Sequence, residues 1–381
     1  WKSRQAARPQ VAIRIGAREP SKVGAEALLD FSVDLTLDGE PLSAGELAAL
    51  RASTEGLALI RGRWVEIDRR RLDEVLAHWR TVEKQARKEG LTFHEGMRLL
   101  SGARLSESEP AFDPVDAEWS QVIAGDWLQK TLARLREPEP TSVKVVGLKA
   151  ELRPYQQVGL AWLRLFSSLE LGACLADDMG LGKTIQVIAL LLELAQKGRR
   201  PHLLVLPASL IANWQAELAR FAPSLSILIA HPSAMPTEKL AHLSSAQLST
   251  VDLVITTYGS VARLASLSEH TWDLVVLHAA HAIKNPGARQ TRSCKLKFSG
   301  VLLDLNGTPV ENRLGDLWSI FDFLNPGLLG SAKVFTRFAK QLAERGDYRP
   351  LRNLVRPYLL RRLKSDRRII ADLPDKTEVP A

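Results

Sequence analysis

Cysteine is nearly missing from this chain: two occur in 381 residues, Cys174 and Cys294, each beside an apolar run. That usage fits buried thiols in a reducing cytoplasm and excludes a disulfide framework. No Cys or His spacing of the zinc-site kind occurs either. Apolar runs stop at about eight residues, far short of the ~20 that cross a bilayer, and no signal-peptide pattern opens the chain. A membrane partner is therefore not expected. Internal repeats and low-complexity tracts are absent as well, which sets aside solenoids and disordered arms. What remains is a composition of 45% hydrophobic and 25% charged residues, that of a globular protein. The length calls for two or more domains. Lys and Arg number 51 against 43 Asp and Glu, a net charge of +8, and this balance suits a polyanion such as nucleic acid. The text opens at Trp1 and stops at Ala381 in mid-phrase, so a fragment is expected.

Residues 1–24 mix Arg, Gly, Pro and Ala without a period and read as a tail or a strand. A small α+β domain is expected over 25–135. Within it, LLDFSVDLTLDGEPL alternates as a strand, and Ser43 with Glu46 has the spacing of a capping box. ALIRGRWVEID reads as a strand or hairpin ending at Asp68, an N-cap for a helix with Leu72, Val75, Leu76, Trp79 and Val82 on one face. Thr92 with Glu95 forms a second capping box. A further helix is expected to carry Trp119, Ile123, Trp127 and Leu128. Trp64, Trp79 and Leu72 are expected in the core. Residues 136–148, beginning REPEPTS, have a linker's composition.

Beyond the linker the texture changes. Short, almost unbroken apolar runs appear at ACLA (173), LLVL (203), ILIA (227), DLVITT (252), DLVVL (273) and VLLDL (301), separated by stretches long enough for a helix. Strands buried on both faces in that rhythm make βαβ units, so a doubly wound parallel α/β sheet is expected over 149–330. Residues 331–381 read as helical and basic.

The sharpest signal is DDMGLGKT, residues 177–184, between ACLA and the helix text TIQVIALLLEL. A glycine-rich turn at a strand-to-helix junction leaves backbone N–H groups to hold phosphate oxygens at the positive end of the helix. Lys183 would reach the β- and γ-phosphates and the Thr184 hydroxyl would ligate Mg²⁺. Asp177 stands where the general pattern asks for glycine, so the loop is a variant one. Upstream lies LRPYQQVGLAWL (152). Downstream come LPASLIANWQAEL (206), ITTYGS (255), HAAHAIKN (278) and NGTPVENRLGDLWSIFDFLNP (306), each after an expected strand, where open α/β sheets bind ligands.

In content and order these segments resemble the Swi/Snf family of helicase superfamily two, whose motor motifs cover residues 152–378. A looser likeness over 25–105 is to the accessory domain that precedes the motor in the bacterial branch. The resemblance implies a first RecA-like lobe and a second lobe beyond the last residue, gripping ATP and Mg²⁺ between them and stepping along double-stranded DNA without choosing sequence. It implies nucleotide contacts at Arg153, Gln156, Asp178, Met179, Gly180, Leu181, Gly182, Lys183 and Thr184, with Gln156 on the adenine and Thr184 on the metal. Lys183 and Thr308 carry the catalytic assignments, and Thr308 relays the nucleotide state. Ser209 and Asn213, with Thr256, Thr257 and Tyr258, would face the DNA backbone. Trp214 belongs either to that segment or to the core, and Arg361, Arg362 and Lys364 form either a basic rim or a solvated charge run. A cytoplasmic, nucleoid-associated motor is implied, with RNA polymerase or a repair or defense complex as protein partner.

Two departures open a second reading. Where the family has Asp-Glu-Ala-His, this chain has His278, Ala279, Ala280 and His281, and Asn306 replaces a threonine of the Leu-Thr-Gly-Thr-Pro motif. Both acidic functions of the first motif are gone, and an imidazole poorly suits Mg²⁺. Engineering would explain Ala279 alone, whereas natural decay covers all three changes. The alternative is a pseudo-motor that holds nucleotide or DNA as a scaffold. A kinase or GTPase with a fortuitous loop is opposed by Gln156 in its PYQ context and by the ordered downstream motifs.

Overall fold

The computed structural model describes residues 8–53, 56–103, 105, 118–140, 144–198, 201–278, 301–305 and 314–366. The chain divides into two compact units, one of Trp1–Leu132 with Arg349–Leu354 and the other of Ala133–Tyr348 with Val355–Ala381. Among the described residues no helix is long and apolar enough to cross a membrane.

The first unit contains strands β1 (Gln10–Ile15), β2 (Leu28–Leu29), β3 (Phe31–Leu37), β4 (Glu40–Pro41), β5 (Leu57–Ile60), β6 (Arg63–Glu66), β7 (Leu91–Thr92) and β8 (Ser120–Ala124). Its helices are α1 (Ala44–Ala52), α2 (Arg69–Glu89), α3 (Phe93–Ser101) and α4 (Asp126–Arg136). The main sheet has the order β4-β3-β1-β8, with β1 antiparallel to β3 and parallel to β8. Thus the ambiguous amino-terminal stretch supplies a central strand, whose Val11, Ile13 and Ile15 are fully buried. The β3–β4 turn places Asp38 and Gly39 at φ of +52° and +84°, as a tight hairpin of this kind requires. Both capping boxes form, and Asp68 accepts from the Arg71 N–H at the start of α2.

Two expectations fail here. Trp119, Ile123, Trp127 and Leu128 do not share a helix, because residues 120–124 pair with β1 as β8 and the helix begins at Asp126. Apolar residues four apart, as Trp119, Ile123 and Trp127 are, satisfy a helical period and a strand followed by a helix equally well. Trp64 is not core. In the β5–β6 hairpin it pairs with Leu59 on one face while Ala58 and Val65 take the buried one, leaving Trp64 65% exposed. Alternation along a strand permits either Val65 or Trp64 inside, and the buried face takes the smaller residue.

In the second unit all six apolar runs are strands: β9 (Ala173–Leu175), β10 (His202–Leu206), β11 (Ile227–Ala230), β12 (Leu253–Thr257), β13 (Leu274–His278) and β14 (Val301–Leu305). A seventh, β15 (Leu359–Leu360), lies in text expected to be helical. The sheet is parallel throughout, in the order β11-β12-β10-β13-β14-β9-β15. It is surrounded by α5 (Pro154–Leu169), α6 (Lys183–Gln196), α7 (Ile211–Phe221) and the helices Leu314–Leu324 and Ala332–Arg345. Leu203, Val205, Val254, Val275 and Leu277 form its core with Ile320, Phe323 and Leu324. Residues 144–148, read as linker, form a turn on this unit: Val145 is buried, Gln196 Nε2 donates to the Val146 carbonyl and the Lys149 N–H donates to Phe221.

Trp79→Ala is expected to cost about 3–5 kcal/mol in urea unfolding and Trp64→Ala to stay within ~0.5 kcal/mol, since only the first empties core volume. Equal losses in the two variants would contradict the placement of the hairpin face.

Candidate nucleotide-binding site

The carboxyl ends of a parallel sheet are where loops gather without obstructing strands. Here β9 runs into residues 177–182 and then into α6. Gly180 and Gly182 hold φ of +85° and +73°, a region that side chains with a Cβ rarely enter. A Cβ at Gly182 would in addition run into the Gln156 amide. Gly182 is the N-cap residue of α6 and no side chain caps the first turn, so its N–H groups lack intrahelical acceptors. Leu181 is fully buried against Tyr155, anchoring the middle of the loop, while Met179 stands 80% exposed at its tip.

Lys183 Nζ donates to the carbonyls of Asp177 and Asp178. Burial pulls its pKa down, against the pull of the Asp177 and Asp178 carboxylates. Gln156 ties α5 to the loop: its Oε1 accepts from the Arg153 N–H at 3.0 Å and its Nε2 donates to the Leu181 carbonyl at 3.2 Å. The Arg153 side chain is exposed, and Thr184 lies half-buried in the first turn of α6.

Asp177 explains the variant first position. It is fully buried and ion-paired with Arg362, itself 4% exposed. The Arg362 Nε and backbone N–H both donate to Asp177 Oδ1, at 2.8 and 3.0 Å. Arg362 is therefore neither rim nor solvated charge. Lys364 is exposed, and its backbone N–H donates to Asp178 Oδ2 at 2.9 Å. Sequence reasoning missed this carboxy-terminal wall; its only signal was the unexpected carboxylate at 177.

At the end of β13, His278 Nδ1 accepts from the Trp214 indole N–H at 2.8 Å, and Tyr258 Oη donates to the His278 carbonyl at 3.0 Å. Trp214 is fully buried, so it belongs to the core. Because an indole only donates, the imidazole must present a bare nitrogen to it, which requires the neutral form. Burial, helped by the nearby Lys183 charge, holds the His278 pKa below its ordinary range.

The residues assigned to the DNA backbone separate into two sets. Ser209 and Asn213 are exposed beyond the end of β10. Thr256, Thr257 and Tyr258 are buried instead, with Thr256 donating to the Ala230 carbonyl and Thr257 to Ser260 Oγ. Their hydroxyls complete backbone and cap hydrogen bonds, so of the five only Ser209 and Asn213 are exposed. Ala279, Asn306 and Thr308 lie outside the described residues.

This donor set fits a polyphosphate: open helix amides, two left-handed glycines and an ammonium together. Its fit to Mg²⁺ is partial, since Thr184 offers a hydroxyl while the end of β13 offers a neutral imidazole rather than a carboxylate.

The His278 environment sets a pH dependence. An imidazole kept neutral in the fold and protonated once unfolded gives full stability above pH ~6.5 and declining stability below it. The denaturation midpoint is expected to fall between about pH 7.5 and 5.5, and His278→Gln to reduce that fall. An unchanged fall would place the titrating group elsewhere.

Residues 155–380 match the SNF2-related domain, and residues 1–100 match a family described as SNF2 helicase protein. YwqA of Bacillus subtilis (strain 168), which bears the name of an ATP-dependent helicase/translocase, is 38% identical over 379 residues, 95% of this chain and 40% of its own length. The TATA-binding protein-associated factor MOT1 of Saccharomyces cerevisiae is 36% identical over 261 residues, 61% of this chain and 14% of that protein. The Sulfolobus solfataricus SWI2/SNF2 ATPase core in complex with dsDNA aligns with a TM-score of 0.56 at 39% identity, covering 61% of this chain and 49% of that one. This chain spans less than half the length of each. With the domain match extending from α5 past β15, the chain belongs to the SNF2-related family.

Proposed function

We propose that this chain is the ATP-gripping part of an ATP-dependent DNA translocase. The observation that carries the reading is the loop from β9 to α6, with its left-handed Gly180 and Gly182 and its uncapped first helical turn. In this reading the first-turn amides and the Lys183 ammonium hold the β- and γ-phosphates, and Thr184 holds Mg²⁺. That ion, when bound, neutralises charge on the phosphates. Gln156, fixed between Arg153 and Leu181, senses the adenine with its remaining donor and acceptor capacity. Ser209 and Asn213 contact the DNA backbone, and Thr308 relays the nucleotide state. Residues 25–135 form the accessory domain, 149–330 the first lobe, and 331–381 a protrusion leading toward a second lobe. Protein partners follow by analogy with relatives such as MOT1, whose name couples it to a TATA-binding protein.

A second reading is favoured by one observation: where the family places a carboxylate, the half-buried His278 accepts a hydrogen bond from the buried Trp214 indole. A neutral imidazole facing an indole neither orients Mg²⁺ nor accepts the proton of an attacking water, so the chain would bind nucleotide without turning it over.

Binding of a fluorescent ATP analogue is expected, and Lys183→Ala is expected to weaken it by ~10-fold or more. In a protein carrying both lobes, His278→Asp with Ala279→Glu is expected to raise DNA-stimulated hydrolysis by ~10²-fold or more, the usual worth of a positioned base. Turnover of several per second without those changes would exclude the scaffold reading.

Duplex DNA is expected to bind without sequence preference and to weaken steeply with salt. Ser209→Asp with Asn213→Asp should lower that affinity further, by roughly 10-fold, through repulsion of phosphate. Salt-insensitive binding would count against backbone recognition.

A further inference from the structure

We propose that Arg362 is a positioning residue of the phosphate loop, acting through Asp177. This rests on the nucleotide-site reading above and assigns a role to a residue outside the loop, about 180 positions away in sequence.

The Arg362 guanidinium is the hub of three elements. It bonds both carboxylate oxygens of Asp177, and it donates to the Tyr155 carbonyl in α5 and, at 2.9 Å, to Gln186 Oε1 in α6. Its carbon lies 5.4 Å from the centre of the Tyr155 ring. Room for it comes from Gly159, where an added Cβ would strike Gln186 Oε1 and Arg362 Nη2.

Backbone bonds continue the same attachment. β15 pairs with β9, Leu359 opposite Cys174 and Leu360 opposite Leu175. Beyond them the Ala176 N–H donates to the Leu360 carbonyl at 2.7 Å and the Asp178 N–H to the Arg362 carbonyl at 3.0 Å. The two segments are thus joined continuously from Cys174 to Asp178, up to the residue before the exposed tip.

The Asp177 carbonyl accepts from the Lys183 ammonium. Arg362 fixes the Asp177 side chain, Asp177 fixes its own peptide, and that peptide sets where Lys183 rests. A buried ion pair contributes little to folding that an apolar pair of similar volume would not contribute, whereas its forked geometry fixes direction. Placed at the first residue of a phosphate loop, direction is what it supplies.

The experiment measures affinity for a fluorescent ATP analogue with Mg²⁺, together with thermal unfolding, in the full chain and three variants. Lys183→Ala reports on the nucleotide site itself. Arg362→Lys keeps the charge and loses the fork. Asp177→Leu with Arg362→Met keeps the volume and loses the pair. The expected result is that Arg362→Lys and the double variant fold cooperatively and bind about tenfold weaker or worse, since small displacements of binding groups are costly. Wild-type affinity, within twofold, in either folded variant would overturn the proposal. Loss of folding in both would also overturn it, by assigning the pair to the fold alone. If Lys183→Ala binds as well as the unaltered chain, the nucleotide-site reading fails instead, and the two failures are told apart.

Discussion

The Asp177–Arg362 ion pair is the contact around which the candidate site in the second unit is organised. Two opposite charges removed from water demand each other and demand hydrogen bonds for every remaining donor, or the fold bears several kcal/mol of uncompensated desolvation. Tyr155 from α5 and Gln186 from α6 accept from the guanidinium, and the backbone N–H of Arg362 donates to the Asp177 carboxylate. Arg362 thereby ties both helices and the loop to the segment that follows the last strand. Gly159 is part of the same arrangement, because a methyl group there would occupy the guanidinium's space.

Much of this architecture is legible in the text, for identifiable reasons. The six apolar runs are readable as parallel strands because they are too short for helices and recur at intervals long enough for a helix between them. The capping boxes at Ser43 and Thr92 are readable because three-residue spacing and side-chain chemistry are local. What fails is what depends on distant partners. β15 is two residues long and sits in a run of Arg and Leu; only its pairing with Cys174 and Leu175 makes it a strand. Trp64 and Val65 differ by one place, and the packing beneath the hairpin decides which is inside. Arg362 looks like a surface charge until Asp177 is placed beside it.

The candidate site shows the same division. DDMGLGKT announces itself because glycine, lysine and threonine at fixed offsets answer a geometry internal to the segment. Thr256, Thr257 and Tyr258 read two ways in sequence, since hydroxyls suited to phosphate are equally suited to a neighbouring strand's carbonyl or a helix cap. The altered end of β13 is visible as a substitution. Its consequence is not: only the indole of Trp214, 64 positions upstream, turns His278 from a conceivable ligand into an acceptor with its lone pair already engaged.

The β15 pairing also has a mechanical side. It runs alongside β9, and its hydrogen bonds lie across the chain direction. Tension applied along the chain at Lys364 loads those bonds side by side, in shear, rather than peeling them one after another. Bonds loaded in that way share the load, and the guanidinium adds a further attachment beside them.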